Sequence, residues 1–571
     1  MALGILEPRA KKVPGTANVL DQEWKRDPTL KRDKTGNIIL VPQPSEDPND
    51  PLNWPLWQRD LILSLLCVVA AIATTASPLV AANSVVLAVV FRVKFQDAAL
   101  LTAYHLCGVG VASWLFVPLA RVWGKRHVFL FGALLMVASS AWGGSTADNL
   151  NYRSLTWARI VQGVALAPFE SLVNDVVGDL YFVHERGFRM AFTNVCLFGA
   201  AFLTPVCVGV ITTRDNLGWQ WSFYFLAIFM AAGFVMLFLF FPETTYQRPR
   251  YLQIDINVGP VPFHDPVPPP PKHTFLHRLA PFSGRKTHES FLKLLFRPFP
   301  LFLQPAVAWG CLMQGVIIGW TVIVGVILAL IFLGPPLFFT EEQAGKMYTA
   351  AFIGSMIGLV LAGIYTELVT RLLIVRNGGQ YEPEFRIALV IPTLVFSAIG
   401  LYGFGIASAN IEKYGWVVIE VFLACITISM VMGATASAQY LLDAHRDIAI
   451  ETFTCLIIFK NLFSFVLAYY AYTWVLDRGF EKMFIIFGSI EIGICALSIP
   501  IYHQPQNSAG DSIVFRIYRC KSSRVCVASF LQAVVTNLLL QCHLDFQFRE
   551  MCPQVVNLDM LFCRRGVQIK V

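Results

Sequence analysis

The sequence has few charged residues. Asp, Glu, Lys and Arg make up only 14% of the 571 residues, whereas 56% are hydrophobic. A soluble chain of this length needs far more charge to cover its surface, so the composition excludes an ordinary soluble protein and favours a lipid bilayer as the solvent. The net charge of +7 is spread over many loops. Because no basic stripe with interleaved aromatic residues is present, we expect no nucleic-acid partner.

The sequence also lacks the common signatures of catalytic and metal sites. It contains no HExxH segment, no Gly-rich phosphate loop and no His/Asp pair for acyl transfer, so we expect neither an enzyme nor a cofactor. Eight of the 13 cysteines lie inside apolar runs and behave as small hydrophobic residues. The other five lie in the C-terminal tail without the spacing of zinc ligands, so we expect no metal site.

Long apolar runs are abundant. Each is about 20 residues long, which lets a helix cross the roughly 30 Å hydrocarbon core of a bilayer. The runs are continuous rather than alternating, which predicts helices and not a β-barrel. Six runs, a polar connector and six more runs are typical of a transporter built from two related bundles. The predicted helices are 60–83, 98–119, 127–144, 154–177, 188–211, 220–241, 301–331, 345–370, 386–408, 416–440, 449–475 and 482–502.

The polar segments complete the predicted domain organisation. No cleavable signal peptide is present, so the first helix serves as the targeting signal. Basic residues in the short loops, the arm and the linker place both termini in the cytosol. The tail lacks clear periodicity, and we interpret it as a gene-model artefact such as a translated intron, which sequencing the 3′ end of the transcript tests. The predicted parts are a disordered cytosolic arm (1–58), an N-terminal six-helix bundle (59–241), a flexible cytosolic linker (242–298), a C-terminal six-helix bundle (299–502) and an atypical Cys-rich tail (503–571).

The fourth predicted helix carries the most informative polar residues. Arg159, Gly163, Glu170 and Asn174 fall within a sector of about 60° at 100° per residue. A charged side chain near mid-membrane costs at least about 2.5–3.5 kcal/mol, so two of them on one stripe predict a polar interior shared with other helices. The alternative, that Arg159 and Glu170 only hold helices together, stays open.

Further polar residues inside apolar runs are candidates for a substrate or proton pathway. Lys460, near the middle of the eleventh predicted helix, is the best candidate in the second bundle by the same insertion cost. The neutral residues more often form helix–helix hydrogen bonds than bind ligands. The remaining pathway candidates are Gln162, Asn194, Gln314 and Asn461.

A basic loop follows the second predicted helix. Gly124 allows a tight turn, and the neighbouring basic residues can pair with acids at adjacent helix ends, foremost Asp179. Breaking such pairs would open one face, so the sequence predicts a gate. Plain positive-inside topology is the alternative. The predicted gating residues are Arg121, Gly124, Lys125, Arg126, Asp179, Glu185 and Arg186.

These segments resemble the major facilitator superfamily, and within it a fungal branch related to drug:proton antiporters and the histidinol/polyamine transporter. The loop from Pro118 to Arg126 is similar to the superfamily signature G-x-x-x-D-x-x-G-R-R, although Pro118 replaces the first Gly. Arg159 and Gly163 match its R-x-x-x-G pattern. Gly199–Gly209 resembles the antiporter motif imperfectly. Longer strings, such as Asp47–Pro55, extend the resemblance over residues 46–502.

The resemblance implies an all-α fold of twelve transmembrane helices in two pseudo-symmetric six-helix bundles, which moves small organic solutes by alternating access. We expect a proton-coupled exporter of cationic or amphiphilic compounds, in which Glu170 carries the proton or the substrate cation and Arg159 modulates it. The alternatives are an importer of polyamine-like or histidinol-like cations and a transport-dead membrane sensor. We expect a monomer in the plasma membrane, with the vacuolar membrane second.

Overall fold

A computed structural model describes residues 17–18, 31–32, 40–213, 218–246, 248, 271, 274, 280–282, 284–287, 289–445 and 448–503. Within these ranges, 11 helices are long and apolar enough to cross a membrane. The last of them, Ala449–Tyr502, contains a break at Gly479, where φ is 74° and ψ is 166°. This backbone conformation favours glycine, and it divides the segment into two passes. The prediction of a twelve-helix membrane protein is therefore confirmed.

The twelve spanning helices are numbered in chain order. The fifth is irregular, with a π-helical turn at Val195–Gly199 and a 3₁₀ turn at Ala200–Phe202. The bounds are α1 Leu56–Thr74, α2 Phe95–Trp123, α3 Arg126–Asn149, α4 Tyr152–Leu180, α5 Val183–Thr212, α6 Gln220–Phe240, α7 Pro305–Leu333, α8 Glu341–Arg376, α9 Val390–Ala409, α10 Ile411–Ala444, and α11 and α12 as the parts of Ala449–Ala496 before and after Gly479.

The two halves, α1–α6 and α7–α12, meet most extensively along two helix pairs. The pairs are α2 with α11 and α5 with α8. Small residues let the backbones approach, since a Cβ atom at Gly345 would lie 2.5 Å from the carbonyl oxygen of Pro205. A Cβ atom at Gly209 would lie 2.8 Å from the carbonyl oxygen of Glu341. Association of membrane helices relies on such close packing, because lipid offers little hydrophobic gain.

The N-terminal segment departs from the predicted disordered arm at residues 40–58. Val41 is buried, and its carbonyl oxygen accepts a hydrogen bond from the Val183 N–H at 3.0 Å. Asp50 is fully buried and forms a two-point ion pair with Arg248 (2.7 and 3.2 Å). Burial alone would raise the pKa of the Asp50 carboxyl, but the guanidinium and two backbone N–H donors hold it below its ordinary value. Polar composition predicted disorder here because it did not reveal this partner for the carboxylate.

The end of the predicted flexible linker is also folded. Residues Phe291–Phe296 form a short helix with Leu294 buried. The indole N–H of Trp114 on α2 donates to the carbonyl oxygen of Leu295 at 2.6 Å, which fixes the linker against the N-terminal half.

A two-residue strand, β1 (Ala17–Asn18), pairs antiparallel with β2 (Gln380–Tyr381). The predicted tail 503–571 lies outside the described residues, apart from the last helical residue, His503.

Candidate functional site

A cavity lies between the two halves. It encloses about 920 Å³ of space free of protein atoms, counting the solvent space that joins it. Its lining is mostly apolar and includes the charged residues Glu170 of α4 and Lys460 of α11. The lining also includes Thr74 at the end of α1 and Ala98 near the start of α2. The α2–α3 loop that contains Lys125 lies at the other end of α2, so the cavity extends toward the face opposite this loop.

Glu170 and Lys460 form an ion pair across the two halves. The Lys460 Nζ lies 2.5 Å from Oε2 of Glu170, and the side-chain amide of Asn461 donates to the same oxygen at 3.0 Å. Both charged side chains are at least 94% buried. The ring of Phe198 on α5 lies 4.8 Å from the ammonium, which adds a cation–π contact. A carboxylate beside an aromatic face is a cation site, and here it holds the protein's own ammonium.

Arg159 occupies a different place on α4. Its guanidinium donates to the carbonyl oxygens of Ala76 (2.5 Å) and Ser77 (3.0 Å), just beyond the end of α1, and to Oε1 of Gln162 (2.5 Å). Arg159 and Glu170 are roughly 16 Å apart along the helix axis at 1.5 Å per residue. The cationic partner of Glu170 is therefore Lys460, and Arg159 binds two backbone carbonyl groups just beyond the end of α1.

Four other predicted pathway residues lie outside the cavity lining. Asn174 donates a hydrogen bond to Asn194 at 3.2 Å, and Asn194 donates one to Thr435 of α10 at 3.1 Å. These hydrogen bonds therefore also join the two halves. Gln314 is buried in α7, and its Oε1 accepts no hydrogen bond from the part of the chain that the structure describes. Gln162 donates to Ser140 and supports Arg159.

The α2–α3 loop is built around Gly124. Its φ of 99° turns the chain so that the N–H groups of Lys125 and Arg126 both donate to the carboxylate of Glu243, at 3.0 and 3.1 Å. The Lys125 ammonium contacts both Asp175 and Asp179. Burial acts to lower the pKa of Lys125, but the two carboxylates outweigh it and raise that pKa above its ordinary value. The predicted pairing of this loop with Asp179 is present.

Two further ion-pair clusters join the halves at the same end of the molecule. Arg186 donates to Asp443 at 2.8 Å, and Tyr381 and Arg386 bind the other oxygen of Asp443. In the second cluster, Arg121 and Arg297 approach Glu451 at 3.6 and 3.2 Å. We call this end, which carries Lys125, Asp179, Arg186, Asp443 and Glu451, the charged face. The halves are joined there, whereas the cavity extends toward the opposite face.

The remaining gating candidates support the N-terminal half itself. Arg126 donates to the carbonyl oxygens of Phe241 (2.5 Å) and Phe238 (2.7 Å) near the end of α6. Glu185 pairs with Arg59 of α1 at 3.0 Å. Sequence reasoning missed the acids Asp443 and Glu451, although one signal was available. Asp443 lies at the end of α10, just as Asp179 lies at the end of α4. Two halves with a repeated structure predict acids at such equivalent positions.

Two helical halves joined across a cavity by a buried ion pair are typical of a membrane transporter. The comparisons agree. A sequence model described as the Major Facilitator Superfamily matches residues 63–452, and the chain belongs to this superfamily, whose members are transporters and not enzymes. The fold is similar to that of the proton:xylose symporter XylE, with a TM-score of 0.55 and 13% identity over 79% of this chain and 97% of that one.

Fungal relatives cover most of the chain. It is 24% identical over 522 residues to an uncharacterized MFS-type transporter of Schizosaccharomyces pombe, covering 82% of this chain and 87% of the relative. It is 22% identical over 570 residues to protein HOL1 of Saccharomyces cerevisiae, covering 86% and 94%. It is 24% identical over 437 residues to the multidrug transporter mdrA of Aspergillus fumigatus, covering 74% and 66%. The predicted resemblance to fungal transporters of this superfamily is confirmed.

Proposed function

We propose that this transporter exports small cationic or amphiphilic organic solutes in exchange for protons. The Glu170–Lys460 pair carries the proposal. A substrate cation competes with Lys460 for the Glu170 carboxylate and for the Phe198 face, while the apolar lining accepts the rest of the molecule. The similarity to a multidrug transporter supports this substrate class.

A proton has the same effect on the pair as a substrate cation. Protonation of Glu170 would remove the charge that holds Lys460, so the link between α4 and α11 would weaken and the halves could re-orient. One proton that crosses 100 mV and one pH unit supplies about 2.3 plus 1.4 kcal/mol. Export of a monovalent cation against the same potential costs about 2.3 kcal/mol, so a one-for-one exchange supports a gradient of about tenfold per pH unit. Proton and substrate then occupy Glu170 alternately, which is the requirement for exchange.

The charged face is the proposed cytosolic gate. Breaking the Arg186–Asp443 and Arg121–Glu451 contacts separates the halves there, while the helix pairs α2–α11 and α5–α8 act as the hinge region. We propose that bundles 59–241 and 299–502 move as the two bodies and that 242–298 links them. Both termini would then lie in the cytosol, with the protein a monomer in the plasma membrane.

Proteoliposomes with an imposed pH gradient test the proposal independently of protein orientation. The probe is 1-methyl-4-phenylpyridinium, an amphiphilic cation of fixed charge, with spermidine as the polyamine. A proton antiporter accumulates its substrate in the acidic compartment, whereas a proton symporter accumulates it in the alkaline one. We expect accumulation of the amphiphilic cation on the acidic side. Accumulation of spermidine on the alkaline side would instead support the importer, and binding without accumulation would support a sensor.

A further inference from the structure

A second buried carboxyl group lies in the C-terminal half, apart from the Glu170 site. Glu420 of α10 is only 8% exposed, and both of its carboxyl oxygens are buried without a hydrogen-bond partner among the described residues. None of the ion pairs in that part of the chain includes it. An isolated carboxylate in a membrane interior is strongly disfavoured, because neither water nor a cation compensates its charge. The Glu420 carboxyl is therefore neutral in this conformation and carries a proton.

The packing of α8 on α10 places Glu420 at nearly the same depth as Tyr348. A Cβ atom at Gly354 of α8 would lie 2.5 Å from the carbonyl oxygen of Ala424, so the two helices nearly touch. Glu420 lies one turn before Ala424 on the same face of α10, and Tyr348 lies before Gly354 on α8. Gly358 packs on Ile428 as Gly354 packs on Ala424, so the two helices cross the membrane in the same direction. Glu420 and Tyr348 therefore lie at nearly the same depth, about 3 Å apart along the helix axis at 1.5 Å per residue.

Tyr348 connects this position to the cavity. The tyrosine is 2% exposed, its hydroxyl donates to the carbonyl oxygen of Gly325 at 2.7 Å, and both residues line the cavity. A Cβ atom at Gly325 would meet nothing within 4 Å, so the space beside that carbonyl is open. A phenol can be donor and acceptor at once. Tyr348 can therefore pass a proton between the cavity and a carboxyl group behind it.

Within the described residues, no hydrogen bond or ion pair joins Glu420 to another titratable group. The neighbours of α10 near Glu420 are α7, α8 and α9, and α5 contacts its other end near Asp443. On α8, Lys346 pairs with Glu342 at 2.6 Å, and on α9 the Tyr402 hydroxyl bonds to Ser489. The other groups on α7 and on α10 near Glu420 are Cys311, Cys425, and Glu412, Lys413 and Tyr414 before the turn at Gly415. Lys460 on α11 and Glu491 on α12 both have partners.

We propose that Glu420 is a second proton-binding site of the transporter, which exchanges its proton with the cavity through the Tyr348 hydroxyl. The Glu420 carboxyl gives its proton to the Tyr348 oxygen while the Tyr348 O–H, turned away from Gly325, gives its own proton to the cavity solvent, so the phenol stays neutral. The newly formed O–H then faces the Glu420 carboxylate and stabilises it. Each transport cycle then moves two protons, one at Glu170 and one at Glu420. This inference rests on the proposed proton coupling.

Infrared difference spectroscopy of the purified protein tests the site without a substrate. A pH jump on the wild type should change the carbonyl stretch of a protonated carboxylic acid, and Glu420→Gln should remove that band. Tyr348→Phe should shift it, because the band reports hydrogen bonding to the phenol. Glu491→Gln is the matched control, since Glu491 is also buried in this half but already accepts the indole N–H of Trp320 at 3.3 Å. A titrating band that persists unchanged in Glu420→Gln overturns the inference.

Proton stoichiometry gives the second readout. With the membrane potential clamped at zero, each coupled proton contributes a factor of about 10 in accumulation per pH unit. The wild type and Glu491→Gln should accumulate 1-methyl-4-phenylpyridinium about hundredfold at a gradient of one pH unit, and Glu420→Gln about tenfold. Equal accumulation by wild type and Glu420→Gln overturns the inference but leaves the proposed function standing. A wild type that accumulates nothing on the acidic side overturns the proposed function instead.

Discussion

The Lys460 ammonium of α11 lies 2.5 Å from the Glu170 carboxylate of α4 and joins the two halves at the cavity wall. The pair brings together two charges that are 290 residues apart in the sequence. Each would be costly in a bilayer without the other. Because the pair borders the cavity, a proton or a substrate cation that reaches Glu170 acts directly on a contact between the halves.

Removal of one partner should destabilise the protein more than removal of both. Lys460→Met leaves the Glu170 carboxylate buried without its cation, at a cost of about 3–5 kcal/mol. The double variant Glu170→Gln/Lys460→Met contains no uncompensated charge, so its thermal midpoint in detergent should recover most of the loss. Equal midpoints for the single and double variants would show that the two side chains are not coupled.

The Asp443 cluster should hold the charged face closed. Asp443→Asn removes the charge that Arg186 and Arg386 share, and breaking a buried network of this kind costs about 3 kcal/mol. Hydrogen exchange measured by mass spectrometry should then become faster in residues 381–389, which lie beside the cluster. The exposed Glu412, at the other end of α10, supplies the control. Glu412→Gln should leave exchange in that segment unchanged.

The α2–α4 crossing should tolerate only glycine at position 163. A Cβ atom there would lie 3.0 Å from the carbonyl carbon of His105, and closer to its oxygen, so Gly163→Ala should destabilise the fold by about 1–3 kcal/mol. Gly325→Ala is the matched control, because a Cβ atom there meets nothing within 4 Å. The two variants should differ in folded yield on size-exclusion chromatography. Similar yields would mean that the helices can move apart at no cost.

The Asp50–Arg248 pair should stabilise the N-terminal segment in a pH-dependent way. The folded-state pKa of Asp50 lies below its ordinary value of 3.8, so its contribution is fully present above that pH and is lost as the pH falls through the folded-state pKa. Asp50→Asn should therefore lower the thermal midpoint near neutral pH, and the difference from wild type should shrink below about pH 4. A difference that is constant with pH would exclude the ion pair as its source.

Hydropathy and insertion cost predicted much of this architecture. Twelve apolar runs identified the helices because each run must satisfy its backbone within the bilayer, and the position of Gly479 agrees with the predicted break between residues 475 and 482. The same cost selected Glu170 and Lys460 as candidates. Their pairing could not be predicted, because angular positions on one helix do not specify which residues face it from another. For this reason Arg159 was expected to act with Glu170, whereas it binds the end of α1.

Local composition was a weaker guide outside the helices. The segment around Asp50 and the linker end near Leu294 are polar or rich in proline, which predicts disorder. Both fold because of partners far away in the sequence, Arg248 and Trp114 respectively. Asp443 was missed because a single acid at a helix end has no distinctive spacing, and only the relation between the two halves points to it.

Transport by Glu170→Gln tests the central claim most directly. Two quantities are measured in proteoliposomes that contain equal amounts of folded protein. The first is the accumulation of 1-methyl-4-phenylpyridinium driven by a pH gradient, and the second is the exchange of this cation across the membrane when the pH is equal on both sides. The variant should lose accumulation by at least about tenfold, because it cannot carry the coupled proton there, while Glu491→Gln retains it. Accumulation by Glu170→Gln at the wild-type level would contradict the account, since the cavity carboxylate would then carry neither proton nor substrate.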